Sequence, residues 1–211
     1  MIYEIGQFLG RTGSVGTMTT ALRDYFLRNE GGGRLFGVFI GEIGELNKIY
    51  SLRGFPDMAS FTAERDRVVA LRDPFGIGKY LHHFDLAAHQ KFDFLPDVAS
   101  FFAAGASEAK LGPLYEIRTY SFQTGGQPIW TESLRDRIAE RVKLSPLLGA
   151  FYRLDGRPGF THFWPYESFE KRMEIRRAAV ASGGWPPLKV DIAIDHMESN
   201  IALPADFSPL K

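Results

Sequence analysis

Three side chains in one short stretch could bind or polarise a small molecule. Residues 114 to 120 have the sequence LYEIRTY, and the spacing of their apolar positions predicts a strand. Alternate side chains of a strand share a face, so Glu116, Arg118 and Tyr120 should lie together. Such a face could fix an anionic or carbonyl group, with Tyr120 as a hydrogen-bond donor. The alternative is a structural ion pair that sets the register of the sheet.

A histidine and a tryptophan on another predicted strand could extend this face. His162 and Trp164 are two positions apart, so their side chains should also share a side. An imidazole titrates near neutral pH, which suits a general base or a haem ligand. The alternative is a buried histidine with a purely structural role. We predict no cofactor, and haem is the alternative.

An internal repeat brings two further residues into the candidate site. Between residues 3 and 39, twelve positions are identical to the residue 112 positions later, whereas unrelated sequences would share roughly two. The repeat predicts a tandem duplication and pairs Glu116 with Glu4, His162 with Tyr50 and Trp164 with Leu52. Gly6 stands where the second copy has Arg118, so the two copies should differ chemically. The candidate ligand-binding residues are Glu4, Tyr50, Glu116, Arg118, Tyr120, His162 and Trp164.

Both copies show the element order β-α-β-β-α-β of a ferredoxin-like, split βαβ unit. In the first copy we predict strands at 2–9, 35–40, 46–52 and 91–95, with helices at 15–29 and 57–72. In the second we predict strands at 115–122, 147–154, 160–164 and 190–203, with helices beginning near Pro128 and Phe169. Phe169, Met173 and Val180 mark the last helix, which should stop at Gly183-Gly184. The predicted domains are residues 1–96 and 113–211, joined by a linker at 97–112.

Each unit should leave one apolar sheet face uncovered by its helices, and the second unit is the nearest partner for that face. The predicted fold is therefore α+β, with two tandem ferredoxin-like repeats forming an intrachain dimeric α/β barrel with helices outside. We assign the polar face of residues 116–120 to the space between the sheets, because the helix-covered face should be drier. The predicted ligand site lies in that space.

Composition excludes several classes of function. The 211 residues include 25 basic and 25 acidic side chains, so no net charge attracts nucleic acid or an anionic membrane. There is no cysteine, which excludes disulfides and thiol catalysis. We expect a cytoplasmic protein without a signal peptide or membrane span. Aromatic residues form 14% of the chain, which indicates an aromatic core or cavity.

His82, His83, Asp85 and His89 are the one local cluster with a composition resembling a metal site. Their spacing matches no established metal motif, so we predict no metal site.

The stretch Tyr115 to Tyr120, followed by a glycine turn and an amphipathic helix, resembles the opening motif of the NIPSNAP family. The His162-Phe163-Trp164 triplet and the ending that runs from Met197 to Pro209 are similar to that family as well. The resemblance implies the dimeric α/β-barrel superfamily, which includes cofactor-independent monooxygenases and haem-handling proteins. It carries no settled activity and no catalytic residues.

The leading hypothesis is therefore a protein that binds a small apolar or aromatic molecule between its sheets. A cofactor-independent monooxygenase or isomerase is the alternative, with His162 or Glu116 moving a proton and Tyr120 or Arg118 stabilising an enolate. A haem-binding or purely interaction protein is a further alternative. We also expect a homodimer.

Overall fold

The computed structural model describes residues 1–188 and 190–211. The first half consists of β1 (Ile2–Gly10), α1 (Val15–Arg28), β2 (Arg34–Ile43), β3 (Lys48–Phe55), α2 (Met58–Ala70) and β4 (Leu81–Lys91). The second half consists of β5 (Leu114–Phe122), α3 (Gly126–Arg141), β6 (Gly149–Arg153), β7 (Gly159–Tyr166), α4 (Phe169–Ala181), α5 (Val190–Ala193) and β8 (Ile194–Pro204). A 3-10 turn, Val98–Phe101, lies between the halves.

The eight strands close into one barrel in the order β1-β3-β2-β8-β5-β7-β6-β4. Neighbouring strands are antiparallel. Within each half the order is that of a ferredoxin-like sheet, and the halves join where β2 pairs with β8 and β4 pairs with β6. The predicted α+β fold, an intrachain dimeric α/β barrel with helices outside, is confirmed.

The inside of the barrel is an aromatic core to which both sheets contribute. We call this cluster the inner core; it consists of Tyr3, Ile5, Phe36, Phe39, Tyr50, Leu52, Val98, Phe102, Ala109, Tyr115, Ile117, Leu148, Phe151, Phe163, Ala202 and Leu210. Two other clusters fill the space between each sheet and its helices. Met18, Leu22 and Phe26 of α1 pack over the first sheet, and Trp130 and Leu134 of α3 pack over the second.

Helix boundaries follow local sequence signals. Asp57 caps α2 by accepting a hydrogen bond from the Ser60 amide at 2.8 Å. Ser168 caps α4 in the same way, from the Lys171 amide at 3.1 Å. The two helices have 13 residues each. Equivalent caps therefore fix equivalent positions along α2 and α4.

Three predicted elements differ from the structure. The fourth strand is Leu81–Lys91 rather than 91–95, because pairing with β1 holds a polar segment that lacks a strand-like apolar pattern. The segment 97–112 is partly core, since Val98 and Phe102 are buried. A short helix, α5, occupies the first part of the predicted strand at 190–203.

The apolar residues that marked α4 do not form its buried face. Ile175 and Ala179 are buried, whereas Phe169 and Val180 are exposed and Met173 is only half-buried. The domain boundaries and the duplication itself stay predictions from the sequence.

Across residues 1–188 and 190–211, no helix has the length and apolarity that a bilayer crossing requires.

Candidate ligand-binding site

The polar face of β5 packs against helices and not between the sheets. Glu116 accepts hydrogen bonds from Arg172 on α4, and the Tyr120 ring packs on Trp130 of α3 with centroids 5.8 Å apart. The opposite face of β5 sends Tyr115 into the inner core. The prediction that placed Glu116, Arg118 and Tyr120 between the sheets is therefore wrong.

The closed barrel explains this reversal. Its interior is bounded by strands on all sides, so a carboxylate there would lose water without finding a cationic partner. The helix-covered face offers such a partner because α4 carries arginines. The described cavities, of about 340 to 880 Å³, are lined by residues outside the inner core. Across the described residues, the inner core fills the space predicted to hold a ligand.

The Glu116 carboxylate is fully buried and saturated with donors. Arg172 donates two hydrogen bonds, at 2.6 and 3.0 Å, Arg118 donates one at 2.8 Å and the Ser199 hydroxyl one at 2.7 Å. Arg176 lies 3.6 Å away. Burial alone would raise the pKa of Glu116, but the hydrogen bond from Arg172 and the charge of Arg118 lower it to about 2. This carboxylate is therefore ionised at neutral pH and is a poor proton acceptor.

Arg118 links this carboxylate to a buried phenol. Its Nε donates to the Tyr120 hydroxyl at 2.6 Å while its Nη1 holds Glu116. Burial raises the pKa of Tyr120, so its hydroxyl stays protonated. The hydroxyl hydrogen has no acceptor among the hydrogen bonds of the described residues, which leaves it available to a ligand.

His162 is held as a neutral hydrogen-bond donor. The indole Nε1 of Trp164 donates to His162 Nδ1 at 2.9 Å, so in the neutral ring the proton sits on Nε2. Burial first, and then the charge of Arg118, lowers the pKa of His162 well below its ordinary value. His162 is 2% exposed and its Nε2 has no partner in the described structure. The ring therefore presents one unused N–H and no unused basic nitrogen.

Aromatic rings surround this histidine. Tyr120 and Phe160 lie 5.1 and 5.0 Å from it, and Trp164 lies 5.9 Å away, between ring centroids. Trp185, which follows α4, packs on Trp164 with centroids 6.0 Å apart. The three tryptophans of the chain, Trp130 included, therefore lie on this one face of the second sheet.

The sequence interpretation missed Arg141, the most deeply buried arginine on this face. Its guanidinium lies 4.1 Å from the Trp164 ring centroid and donates to the Tyr166 and Ser145 hydroxyls at 3.1 and 2.8 Å. A signal was present, because Arg141 follows Ile138 by three residues and so continues the buried face of α3. We call the group formed by Glu116, Arg118, Tyr120, Arg141, His162, Trp164, Arg172 and Arg176 the second cluster.

Glu4 occupies the matching place over the first sheet. Arg53 grips both of its carboxylate oxygens at 2.9 Å and donates to Glu64 of α2 at 3.2 Å. Arg67 also donates to Glu64, at 2.7 Å, and so does the Tyr25 hydroxyl. We call Glu4, Tyr25, Arg53, Glu64 and Arg67 the first cluster.

Strand register corrects the predicted equivalents of His162 and Trp164. On β7, His162 lies opposite Arg118 and Trp164 lies opposite Glu116. On β3, Ser51 lies opposite Gly6 and Arg53 lies opposite Glu4. Ser51 is therefore the counterpart of His162, and Arg53 is the counterpart of Trp164. The repeat offset falls from 112 to 111 in the β2–β3 turn, which is one residue longer than the β6–β7 turn. The prediction that paired His162 with Tyr50 and Trp164 with Leu52 is wrong by one position.

Tyr50 is consequently separate from the other candidates. It points into the inner core, and its ring centroid lies 5.2 Å from the Lys48 ammonium. Its buried hydroxyl has no partner in the described structure.

The histidine-rich segment lies on β4. His82 and His83 are exposed, whereas His89 is buried and its Nδ1–H donates to the Ala87 carbonyl oxygen at 2.9 Å. Burial lowers the pKa of His89 to about 4. Within the part of the chain that the structure describes, no group of three His, Asp or Glu side chains has metal-binding geometry.

The surroundings of His162 do not fit haem. Its Nε2 is unpartnered, but the ring is enclosed by Tyr120, Phe160 and Trp164. A porphyrin face needs an open slot beside the axial nitrogen, and none of the described cavities is lined by His162.

Comparison with curated proteins finds NipSnap homologues. The chain is 35% identical over 94 residues to a NipSnap homolog of Dictyostelium discoideum, covering 43% of this chain and 42% of that protein. It is 31% identical over 122 residues to human NipSnap homolog 3B, covering 55% and 49%. The chain therefore spans less than half the length of these relatives.

Solved structures share the fold at low identity. An anthrone oxidase-like protein superposes with a TM-score of 0.63 at 12% identity, over 97% of this chain and 91% of that one. A protein named as a candidate monooxygenase from Lactobacillus acidophilus superposes at 0.61 with 9% identity, over 96% and 93%. These likenesses show the fold alone. The NIPSNAP family model matches residues 4–83 and 115–209, and the chain belongs to the NIPSNAP family.

Proposed function

We propose that this protein binds a small molecule with an aromatic or apolar body and an acceptor oxygen at the second cluster. The observation that carries the proposal is the His162 Nε2–H, a buried donor without an acceptor in the described structure. Leaving a buried donor unpaired costs about 1–3 kcal/mol, and a ligand oxygen would remove that cost.

Within the described residues, the second cluster offers donors and no unused acceptor. Tyr120 has a hydroxyl hydrogen to give, Arg118 and Arg141 have guanidinium N–H groups, and the one carboxylate, Glu116, is already saturated. A carbonyl, enolate or carboxylate oxygen matches such a set, whereas an amine or a cation does not. The surrounding aromatic rings favour a flat, apolar ligand body.

Arginine side chains mark a route from solvent to this donor set. The side chains of Arg118, Arg172 and Arg176 are 17%, 11% and 39% exposed, whereas Glu116 behind them is 1% exposed. Arg176, the most exposed of the three, donates no hydrogen bond to Glu116 in the described structure and can move aside at the lowest cost. Opening beside α4 would then expose His162 and Tyr120.

A cofactor-independent oxygenase or isomerase is the second candidate. The same donors would stabilise an enolate oxygen, as a preorganised oxyanion site does. The geometry changes the roles expected from the sequence, because neither His162 nor Glu116 is available as a base. The proton acceptor would have to be a group outside this cluster or the co-substrate, so binding is the function that the geometry supports best.

Tryptophan fluorescence is suited to testing the proposal, since Trp130, Trp164 and Trp185 all lie on this face. We expect saturable quenching by at least one of two probes, 2-acetonaphthone and 2-naphthoate, after correction for probe absorption. Tyr120→Phe removes one donor and should weaken binding about tenfold. Tyr25→Phe makes the matched change in the first cluster and should leave binding unchanged.

Two results would contradict the proposal. One is the absence of saturable quenching by both probes, and the other is equal affinity for wild type and Tyr120→Phe. Native mass spectrometry of freshly purified protein adds an independent measurement, because it would detect a retained small molecule and also the expected homodimer. A cytoplasmic location stays part of the proposal.

A further inference from the structure

The second cluster holds more positive than negative charge. Arg118 and Arg176 lie against the Glu116 carboxylate, whereas Arg141 lies against the Trp164 ring and contacts no carboxylate among the described residues. Arg172 also binds this one carboxylate. Four guanidinium groups therefore share one anion in a region that is largely out of water.

Arg141 shows the imbalance most clearly. It is 4% exposed, and the groups that hold it in the described structure are the Ser145 and Tyr166 hydroxyls and the Trp164 ring, all of them neutral. Burial lowers the pKa of Arg141, the direction expected for a cation without a carboxylate beside it. Buried charges in proteins are ordinarily paired.

The first cluster shows what is missing. There, the second carboxylate is Glu64, the seventh residue of α2. The seventh residue of α4 is Ile175, and the matched caps Asp57 and Ser168 fix this equivalence. Glu64 and Ile175 are both buried beneath their helices. The first cluster thus balances two carboxylates against two arginines, whereas among the described residues the second has one carboxylate and four arginines.

We propose that the ligand of the second cluster is an organic monoanion, a carboxylate on an aromatic body, whose charge replaces the carboxylate that Glu64 supplies in the first cluster. The inference rests on the proposed function and narrows its ligand class. A guanidinium matches a carboxylate through two parallel hydrogen bonds, and Arg141 stacked on Trp164 is already oriented. The His162 N–H and the Tyr120 hydroxyl supply neutral donors beside that charge.

Isosteric probes test the charge directly. We would measure the dissociation constants of 2-naphthoate and 2-naphthamide by titration calorimetry, and we expect wild type to prefer the carboxylate about tenfold. Arg141→Leu should abolish that preference while amide binding persists. Arg135→Leu removes an exposed arginine of the same helix and should keep the preference.

Arg176→Gln provides a second variant with little risk to folding, because its side chain is 39% exposed. Like Arg141→Leu, this variant should reduce the preference for 2-naphthoate over 2-naphthamide. Equal affinity of wild type for the two probes would overturn the anion inference and leave the proposed function intact. Binding of neither probe would overturn both, and a preference that survives in Arg141→Leu and Arg176→Gln would overturn the assignment to this cluster.

Discussion

The first and second clusters occupy matching positions in the barrel, but each neutralises its buried glutamate with different residues. Each begins with a buried glutamate on the first strand of its half, Glu4 or Glu116. In the first cluster the neighbouring strand provides Arg53, which grips Glu4 with two hydrogen bonds. In the second, Trp164 stands at that register position, and Arg172 from α4 grips the carboxylate instead.

This exchange changes what surrounds the carboxylate. Because Trp164 replaces a charged side chain, an aromatic wall can form beside His162, and the arginines approach from the helix side. The first cluster is balanced and each of its charges is met by another. In the described structure, the second keeps a histidine donor without an acceptor and a buried arginine without a carboxylate partner. This difference supports a structural role for the first cluster and the proposal that the second cluster binds the ligand.

The largest expected difference concerns the two buried arginines. Arg53→Leu would leave Glu4 and Glu64 buried without their shared cation, and we expect it to lower the free energy of unfolding by about 3–5 kcal/mol. Arg141→Leu removes a cation that has no carboxylate partner, so we expect a change within about 1 kcal/mol. Urea unfolding followed by circular dichroism measures both. Similar losses for the two variants would contradict the distinction between a paired and an unpaired arginine.

Acid titration provides the next test, through Glu116. Its folded pKa of about 2 lies below the ordinary value of 4.5, so its ionisation stabilises the fold above about pH 5 and this contribution disappears as the pH falls through about 2. The shift corresponds to about 3 kcal/mol at neutral pH.

The stability difference between wild type and Glu116→Gln should therefore shrink by about 2 kcal/mol between pH 5 and pH 3. Urea unfolding at the two pH values measures it. A difference that stays constant over this range would show that the arginines do not hold the carboxylate in its ionised form.

The fold could be predicted from the sequence because most of its elements depend on local patterns of residue types. Strand alternation, the faces of α1 and α3 and the glycine turns predicted most elements, and the repeat predicted how they associate. Strand β4 was missed because it carries His82, His83 and Asp85 and is held by pairing with β1, which is a long-range contact.

The site shows a different limit. The alternation of side chains along a strand correctly grouped Glu116, Arg118 and Tyr120 on one face. Alternation does not say which face of the strand meets a helix. That choice depended on Arg172, 56 residues beyond Glu116 along the chain, which provides the charge partner. Similarly, a single residue inserted in the β2–β3 turn shifted the repeat, so that Arg53 and not Leu52 is the counterpart of Trp164.

The smallest predicted effect concerns the helix caps, a feature that the two halves of the chain share. Asp57 and Ser168 cap α2 and α4 through the same hydrogen bond, so removing either side chain should destabilise its helix. We expect Ser168→Ala to lower the free energy of unfolding by about 1 kcal/mol, and Asp57→Ala to act in the same direction.

The caps differ in one respect, which is charge. Hydrogen bonds from the Ser60 amide and hydroxyl lower the pKa of Asp57, so its contribution is present at neutral pH and disappears as the pH falls through that lowered pKa. Thermal unfolding at neutral and acidic pH should show a loss that fades for Asp57→Ala and persists for Ser168→Ala, and identical pH responses would contradict the assignment of Asp57 as an ionised cap.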